Sequence, residues 1–428
     1  MKLKHILAMS LIGLAAVLLA ACNQGGAVSQ VSVNPAVISP NGDGTDDLTR
    51  ISYKVSQTAR VTIYLTDQNG KRYLLRDEVE RTPSPVAYEL LFNGVSEGHL
   101  LPDGQYTWHV DATGAGGTQN FSGQLVIKDA NLPFPKISEF TLSTQSISPN
   151  RDAIDDHVYI NVVLGQKAKL NVYVIGANGF RYEVQRVEGL RLVASDEQLE
   201  AGRYTYDYDG GINLGADPPP NGRYNVVAQT QDLIGQQDML TRTLEITQSG
   251  RPVAEIVVQP DGQSVEWSTK NGSLVRDPND TTQITLGLSE TLYFTMAVRN
   301  TGTVPIRTAG PFDGNDCYNM DQNYYTKGFV QESGAFRVGV DFETNTGTDH
   351  PWRWGVGTLK DLDVVDHNGT KLYYLAPDKQ VVVSGCIRFT RVPPRNPFSV
   401  YASLIQEDVE IQAVNYHVSP VSIVLVKP

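Results

Sequence analysis

Two stretches of the sequence gather oxygen-bearing side chains at the same spacing. Asn41, Asp43, Asp46 and Asp47 lie in the run SPNGDGTDD, and Asn150, Asp152, Asp155 and Asp156 lie in SPNRDAIDD. Carboxylates this close can do two kinds of chemistry. They can converge on calcium, a hard cation that takes about 6–8 oxygens. They can also accept hydrogen bonds from the loop's own amides and build Asx turns, helped by Pro40 and Pro149, which preset one dihedral. An EF-hand is excluded, because Asp46 stands where its glycine must be and Ser52 where its glutamate must be. Asn41, Asp43, Asp47, Asn150, Asp152 and Asp156 are therefore candidate calcium ligands or candidate turn caps. Calcium is the one cofactor the sequence raises.

A second concentration of chemistry lies near the C-terminus. Tyr318, Tyr324, Tyr325, Trp352, Trp354, Tyr373 and Tyr374 are interleaved with Asp313, Asp316, Asp321, Asn323 and His350. Exposed, such rings beside polar groups suit a carbohydrate or protein surface, with Tyr324, Tyr325, Trp352 and Trp354 as binding candidates. Buried, Trp352 and Trp354 fill the core of an oversized β-sandwich. Signs of catalysis are lacking. The seven histidines are scattered, and no His-Glu-x-x-His, Gly-x-Ser-x-Gly or phosphate loop occurs. A carboxylate pair for glycoside hydrolysis would come from distant strands, and nothing marks one. The expectation is a protein that is not an enzyme.

The first residues are a targeting segment. Lys2 and Lys4 precede an apolar run over residues 6–18, and then comes Leu19-Ala20-Ala21-Cys22. This resembles the lipobox of bacterial lipoproteins. The resemblance implies cleavage before Cys22 with acylation of its thiol and of the new amino group. Each buried methylene of an acyl chain adds about 0.8 kcal/mol of membrane affinity. Residues 1–21 are then a signal peptide and residues 22–30 a flexible polar tether. The expected location is the cell envelope, lipid-anchored and extracytoplasmic. In such an oxidising compartment the remaining cysteines, Cys317 and Cys386, are expected to form one disulfide. Neither has a second Cys or a His at zinc-ligand spacing.

The elements that must hold these groups are strands. The chain has 428 residues, room for about 2–4 domains. With 38 Gly, 23 Pro and only 19% charged residues, it carries the punctuation of an all-β protein. A net charge of −12 argues against nucleic acid as a partner. After the first acidic loop, Ile51, Tyr53 and Val55 alternate with polar residues, as do Val61, Ile63 and Leu65. After the second, Ile160, Val162 and Leu164 do the same, then Leu170, Val172 and Val174. Gly70 and Gly179 each close an Asn-Gly turn. Phe92-Asn93-Gly94 answers Tyr208-Asp209-Gly210, and Pro102-Asp103-Gly104-Gln105-Tyr106 answers Pro220-Asn221-Gly222-Arg223-Tyr224. Insertions near residues 197–201 and 217–220 lengthen the second copy.

This order of motifs resembles the Ig-like domain of flagellar hook-capping proteins, a module that recurs in bacterial surface proteins. The resemblance covers residues 31–129 and 138–247 and implies two Ig-like β-sandwich repeats. The aromatic before Asn/Asp-Gly, commonly Trp in that family, is Phe92 and Tyr208 here. In gliding-motility proteins the module is a C-terminal export signal, a role its position after the anchor does not carry over. Asn41-x-Asp43-Gly44-x-x-Asp47 also resembles the short calcium loops of extracellular repeat proteins, although the second copy has Ala153 in place of that glycine. Residues 253–428 alternate as strands too, for instance at Leu292, Phe294, Met296 and Val298. They loosely resemble adhesion-type Ig modules, with Asp378 where a glycine is usual. Two insertions, residues 313–334 and 343–370, are expected to be poor in regular strands and to decorate a surface or bind something.

The whole reads as serial Ig-like β-sandwiches in a rod behind a lipid anchor. Two repeats form the stalk, and a C-terminal sandwich serves adhesion or docking in a cell-envelope assembly. A protein or glycan at the cell surface is the expected partner. The alternative is a carbohydrate-binding accessory lipoprotein that uses the aromatic cluster.

Overall fold

The computed structural model describes residues 26–188, 191–193, 197–260, 262–269, 283–312 and 317–427. Cys22 and the targeting segment lie outside the described residues, as do Asp313 and Asp316. Among the described residues the chain is built of strands, with two short 3-10 turns, Ile212–Leu214 and Ala413–Asn415. No helix among them is long and apolar enough to cross a membrane.

The period-two alternation of the sequence is expressed directly as burial. In Thr49–Val55 and Ala59–Thr66 every second side chain is buried, and Val158–Leu164 and Ala168–Gly176 do the same. Each repeat is a sandwich of the same two sheets. In the first, Thr49–Val55 lies between Val28–Asn34 and Tyr88–Phe92, so the tether expected over residues 22–30 does not extend to 30: Ala27 and Val28 are buried and Val28 pairs with Val55. The facing sheet runs Val37–Ile38, Gly117–Ile127, Gly104–Gly114, Ala59–Thr66, Arg72–Arg81. In the second, Val158–Leu164 lies between Ile137–Leu142 and Gly202–Tyr208. The facing sheet runs Ser146–Ile147, Gln237–Ile246, Gly222–Gln231, Ala168–Gly176, Arg181–Glu183. Both copies close with a short parallel pairing of the second strand against the last, Ile38 opposite Ile127 and Ile147 opposite Ile246. The chain is all-β, a series of Ig-like sandwiches.

Each recurring motif has a visible mechanical role. Tyr106 donates its hydroxyl to the Pro102 carbonyl at 2.8 Å, and Tyr224 to Pro220 at 2.7 Å, which fastens the turn to the strand that leaves it. Gly94 and Gly210 sit at φ of 84° and 73°. A Cβ there would lie 2.8 Å from the Pro40 ring, or 3.3 Å from Pro149 and 2.9 Å from Pro218. The Ser-Pro-Asn and aromatic-Asn/Asp-Gly motifs thus recur together because they touch. The third motif holds the connectors. The Asp103 carboxylate accepts from the Asp129 and Ala130 amides at 3.0 and 2.8 Å, and the Asn221 side chain accepts from Ser249 at 2.8 Å.

The C-terminal part shares one core. A sheet containing Thr291–Asn300 and Gln380–Arg388 packs on a larger one containing Phe336–Phe342, Phe398–Gln406 and Val418–Val426. The two insertions are more regular than the sequence suggests. Trp352–Gly355 pairs with Phe336–Phe342, and Tyr318–Asn319 pairs with Gln380–Arg388. Their large side chains belong to the core, so the segments are drawn into the sheets.

Candidate functional site: the acidic loops and the C-terminal joint

The two acidic loops have the same hydrogen bonds. One oxygen of Asp47 accepts from Asn41 and Gly42 amides at 3.1 and 2.9 Å, and the other from Gly44 at 2.7 Å. Asp156 accepts from Asn150, Arg151 and Ala153 at 2.9, 3.0 and 2.7 Å. The Asn41 and Asn150 side-chain oxygens each accept from the amide two residues on at 3.0 Å. Asp43 and Asp152 do the same at 2.8 Å. The six candidate calcium ligands are therefore brought together loop by loop, but each turns at least one side-chain oxygen onto a backbone amide. The left-handed positions also repeat. Gly42, Gly44 and Asp46 in the first copy become Arg151, Ala153 and Asp155 in the second, at φ of 58°, 64° and 52°.

What differs is the surroundings. The first loop is open to solvent, whereas Asn150, Asp152 and Asp156 are buried. Asp156→Ala should accordingly cost about 1–3 kcal/mol, since it strands the buried Asn150 amide and two part-buried ones, while Asp47→Ala should cost under about 1 kcal/mol. Urea unfolding of the two variants checks the difference.

The second loop is covered by the C-terminal domain. The Asp152 carbonyl accepts from Arg307 Nε at 2.8 Å, and its carboxylate accepts from the Tyr374 hydroxyl at 3.0 Å. Gln406 donates to the Arg151 carbonyl at 2.8 Å. Gly334, at φ 80°, lets the backbones meet, because a Cβ there would lie 2.4 Å from the Asp152 carbonyl carbon. The first repeat meets the second through a lighter contact of the same kind. Gln237 donates its amide to Gly98 at 2.9 Å and the Gln236 side chain accepts from Leu100 at 3.2 Å.

Burial is the largest influence on Asp152 and raises its pKa from 3.8 to about 6, against the Ile154 amide, the Tyr374 hydroxyl and Arg307, which all favour the charge. The folded chain then holds this proton more tightly than the unfolded chain. Its contribution to stability falls as pH rises through the interval from 3.8 to about 6 and is constant above it. Asp152→Asn should flatten that part of the profile. Urea midpoints of both proteins at about pH 5 and about pH 7.5 check it.

Behind the joint lies a network of buried charges. Arg337 and Arg353, 1% and 4% exposed, both reach Glu407, which is 1% exposed. The bonds from Arg337 to the two Glu407 oxygens are 3.0 and 3.1 Å, and the one from Arg353 is 2.7 Å. Glu407 also accepts from the Glu332 amide at 2.6 Å, and the Glu332 carboxylate pairs with Arg307 at 2.9 Å.

The aromatic candidates are split. Trp352, Trp354 and Tyr324 are at most 1% exposed, and Tyr325 alone of the four reaches solvent, at 51%. The Trp354 ring meets Phe294 and Tyr318 edge-on at 4.8 and 5.0 Å, and the Arg353 guanidinium lies over Tyr324 at 4.2 Å. A flat exposed platform of Trp352 and Trp354, which the carbohydrate reading requires, is not formed, because the core has space for both rings and apolar area drives them into it. Cys317 and Cys386 form the disulfide.

No family model matches the chain, and no curated protein matches it. Solved structures do. A tetra-tandem repeat from the extending region of a large adhesion protein is 12% identical over 93% of this chain and 74% of its own, at a TM-score of 0.17. Escherichia coli alpha-2-macroglobulin is 10% identical over 93% of this chain and 23% of its own, at 0.22. A chimeric titin Z1Z2 is 15% identical over 49% of this chain and 90% of its own, at 0.16. At these identities and TM-scores the likeness carries no weight for fold or function.

Arg307, Arg337, Arg353 and Glu407 carry no motif that sequence reasoning could seize. The nearest signal is an arginine inside an apolar strand, as in Phe336-Arg337-Val338 and Trp352-Arg353-Trp354. Alternation alone would send such an arginine to solvent. Here the outward face of the strand is covered as well, by the segments that supply Glu407 and Glu332.

Proposed function

We propose that this protein is a non-enzymatic, lipid-anchored protein of the cell envelope in which two Ig-like repeats form a stalk and the C-terminal sandwich docks onto a protein partner at the cell surface. The observation that carries this reading is the joint at Asp152. A flexibly linked domain has no need for a loop buried under Arg307, Tyr374 and Gln406, whereas a stalk that presents a head in one direction does. The tied connectors at Asp103 and Asn221 support it too. The anchor is supported by Leu19-Ala20-Ala21-Cys22.

Metabolic labelling with a palmitate analogue tests the anchor. The chain should carry the label and sediment with membranes, and Cys22→Ala should lose both properties. Spin labels at the exposed Met239 and Val382 test the stalk. A narrow distance distribution, broadened by Arg307→Ala, is expected, and a broad distribution in the unaltered chain would refute a directed head. Cross-linking on intact cells should place partner contacts on residues 253–428, and contacts confined to the repeats would move docking elsewhere.

A further inference from the structure

A histidine and two carboxylates meet where strand Phe336–Phe342 ends. Asp341 closes the strand, 3% exposed, and the following loop returns Asp349 and His350 beside it. One ligand atom from each of the three lies within 4.8 Å of the others. We propose that Asp341, Asp349 and His350 form a binding site for a divalent transition-metal ion of the zinc type.

The observation that separates this cluster from an ordinary group of acids is His350. Its side chain is 1% exposed, Nε2 has no hydrogen-bond partner, and Nδ1 makes no hydrogen bond of ordinary geometry although it is ion-paired with Asp349. Buried polar groups are almost always satisfied, and an imidazole used only for packing normally bonds through at least one nitrogen. Nδ1 instead lies 2.9 Å from a carboxylate oxygen of Asp349. Bonds of about 2.0–2.2 Å in a tetrahedral zinc site place ligand atoms about 3.3 Å apart. That pair already stands at ligand spacing, and Asp341 needs only a small approach.

The ligands are also held as metal ligands are held. The Asp341 carboxylate accepts from the Phe342 amide and the Asn345 side chain, both at 2.7 Å, and from the His350 amide at 2.9 Å. Arg353 fixes the backbone of the other two, donating to the His350 carbonyl at 3.1 Å and the Asp349 carbonyl at 2.9 Å. Such outer contacts orient ligands before an ion arrives. The Tyr401 and Tyr416 rings stand edge-on to His350 at 5.8 and 6.5 Å and shield one side. Asp349, 73% exposed, leaves a way in from solvent. One imidazole nitrogen with two carboxylates suits zinc, manganese or iron(II) better than calcium, which takes more oxygens and no nitrogen. Two negative charges balance the ion, and a position is left for water.

The full chain, stripped with chelator and held in detergent, is titrated with zinc chloride by calorimetry and with cobalt(II) by visible absorption. One equivalent of zinc, a tetrahedral cobalt spectrum and a raised melting temperature are expected. Asp349→Ala removes an exposed side chain and leaves the fold intact. It should weaken zinc at least tenfold and abolish the rise in melting temperature, and His350→Gln should abolish the cobalt spectrum. His157→Ala and His417→Ala should leave all three readouts unchanged. Failure of the unaltered chain to bind zinc, or zinc affinity unchanged in Asp349→Ala, overturns the assignment.

Discussion

Glu407→Ala is expected to destabilise the C-terminal domain by about 3–5 kcal/mol, the penalty for removing one partner of a buried charge network. Arg337 Nη1 and Arg353 Nη1 both bond to this carboxylate, and both side chains are sealed from water. Without it, Arg353 keeps only backbone acceptors, and Arg337 keeps backbone acceptors and the part-exposed Glu332 carboxylate 3.7 Å away. Arg337 retains the Ala309 and Val330 carbonyls at 3.1 and 2.8 Å, and Arg353 retains His350 and Asp349. Those carbonyls satisfy hydrogen atoms but cannot neutralise two charges in a medium of low polarity. Glu407→Gln should cost less, since it keeps one acceptor and the shape of the side chain. Urea unfolding followed by tryptophan fluorescence reports the change, because Trp267, Trp352 and Trp354 are buried in this domain. A loss below about 1 kcal/mol would mean that water reaches the network.

Trp354→Ala ranks beside it, with an expected cost of about 3–5 kcal/mol from lost burial and the cavity left behind. The ring is wedged between Phe294 and Tyr318 and against the backbone of Gly385, where a Cβ would lie 2.5 Å from both Trp354 and Phe294. Gly385→Ala should therefore be strongly destabilising in the unaltered chain and less so in Trp354→Ala, where one of the two clashing rings has gone and the cavity lets Phe294 move aside. That loss of additivity is the signature of direct contact. A double-mutant cycle in urea measures it. Additive costs would place the ring elsewhere and reopen the surface reading of this aromatic cluster.

Much of the fold was legible because its causes are local. Alternation at Ile51, Tyr53 and Val55 reports which face of one strand is apolar, and positive φ at Gly70 and Gly179 follows from an Asn-Gly turn whatever surrounds it. The acidic loops were legible for the same reason. Asn41 and Asp47 reach amides only a few residues away, so a capping loop can be read from spacing. Even so, the two copies share the Ser-Pro-Asn and the three Asp and differ in situation. Asp47 faces solvent, while Asp156 lies under another domain, and no short window of sequence records that.

Order along the chain told of the duplication, the turns, the alternating strands and a pair of cysteines fit for a bond. It could not tell that Tyr374 would reach Asp152 across 222 residues, or that Glu407 would meet Arg337 across 70. Turns and strand faces are set by a residue and its near neighbours, whereas burial depends on which distant segment arrives opposite. Trp352 and Trp354 could have served a surface or a core, and Arg353 between them could have faced water. The second sheet and the segment bearing Glu407 settled each case, because apolar area and buried charge find their lowest free energy only once those partners are in place.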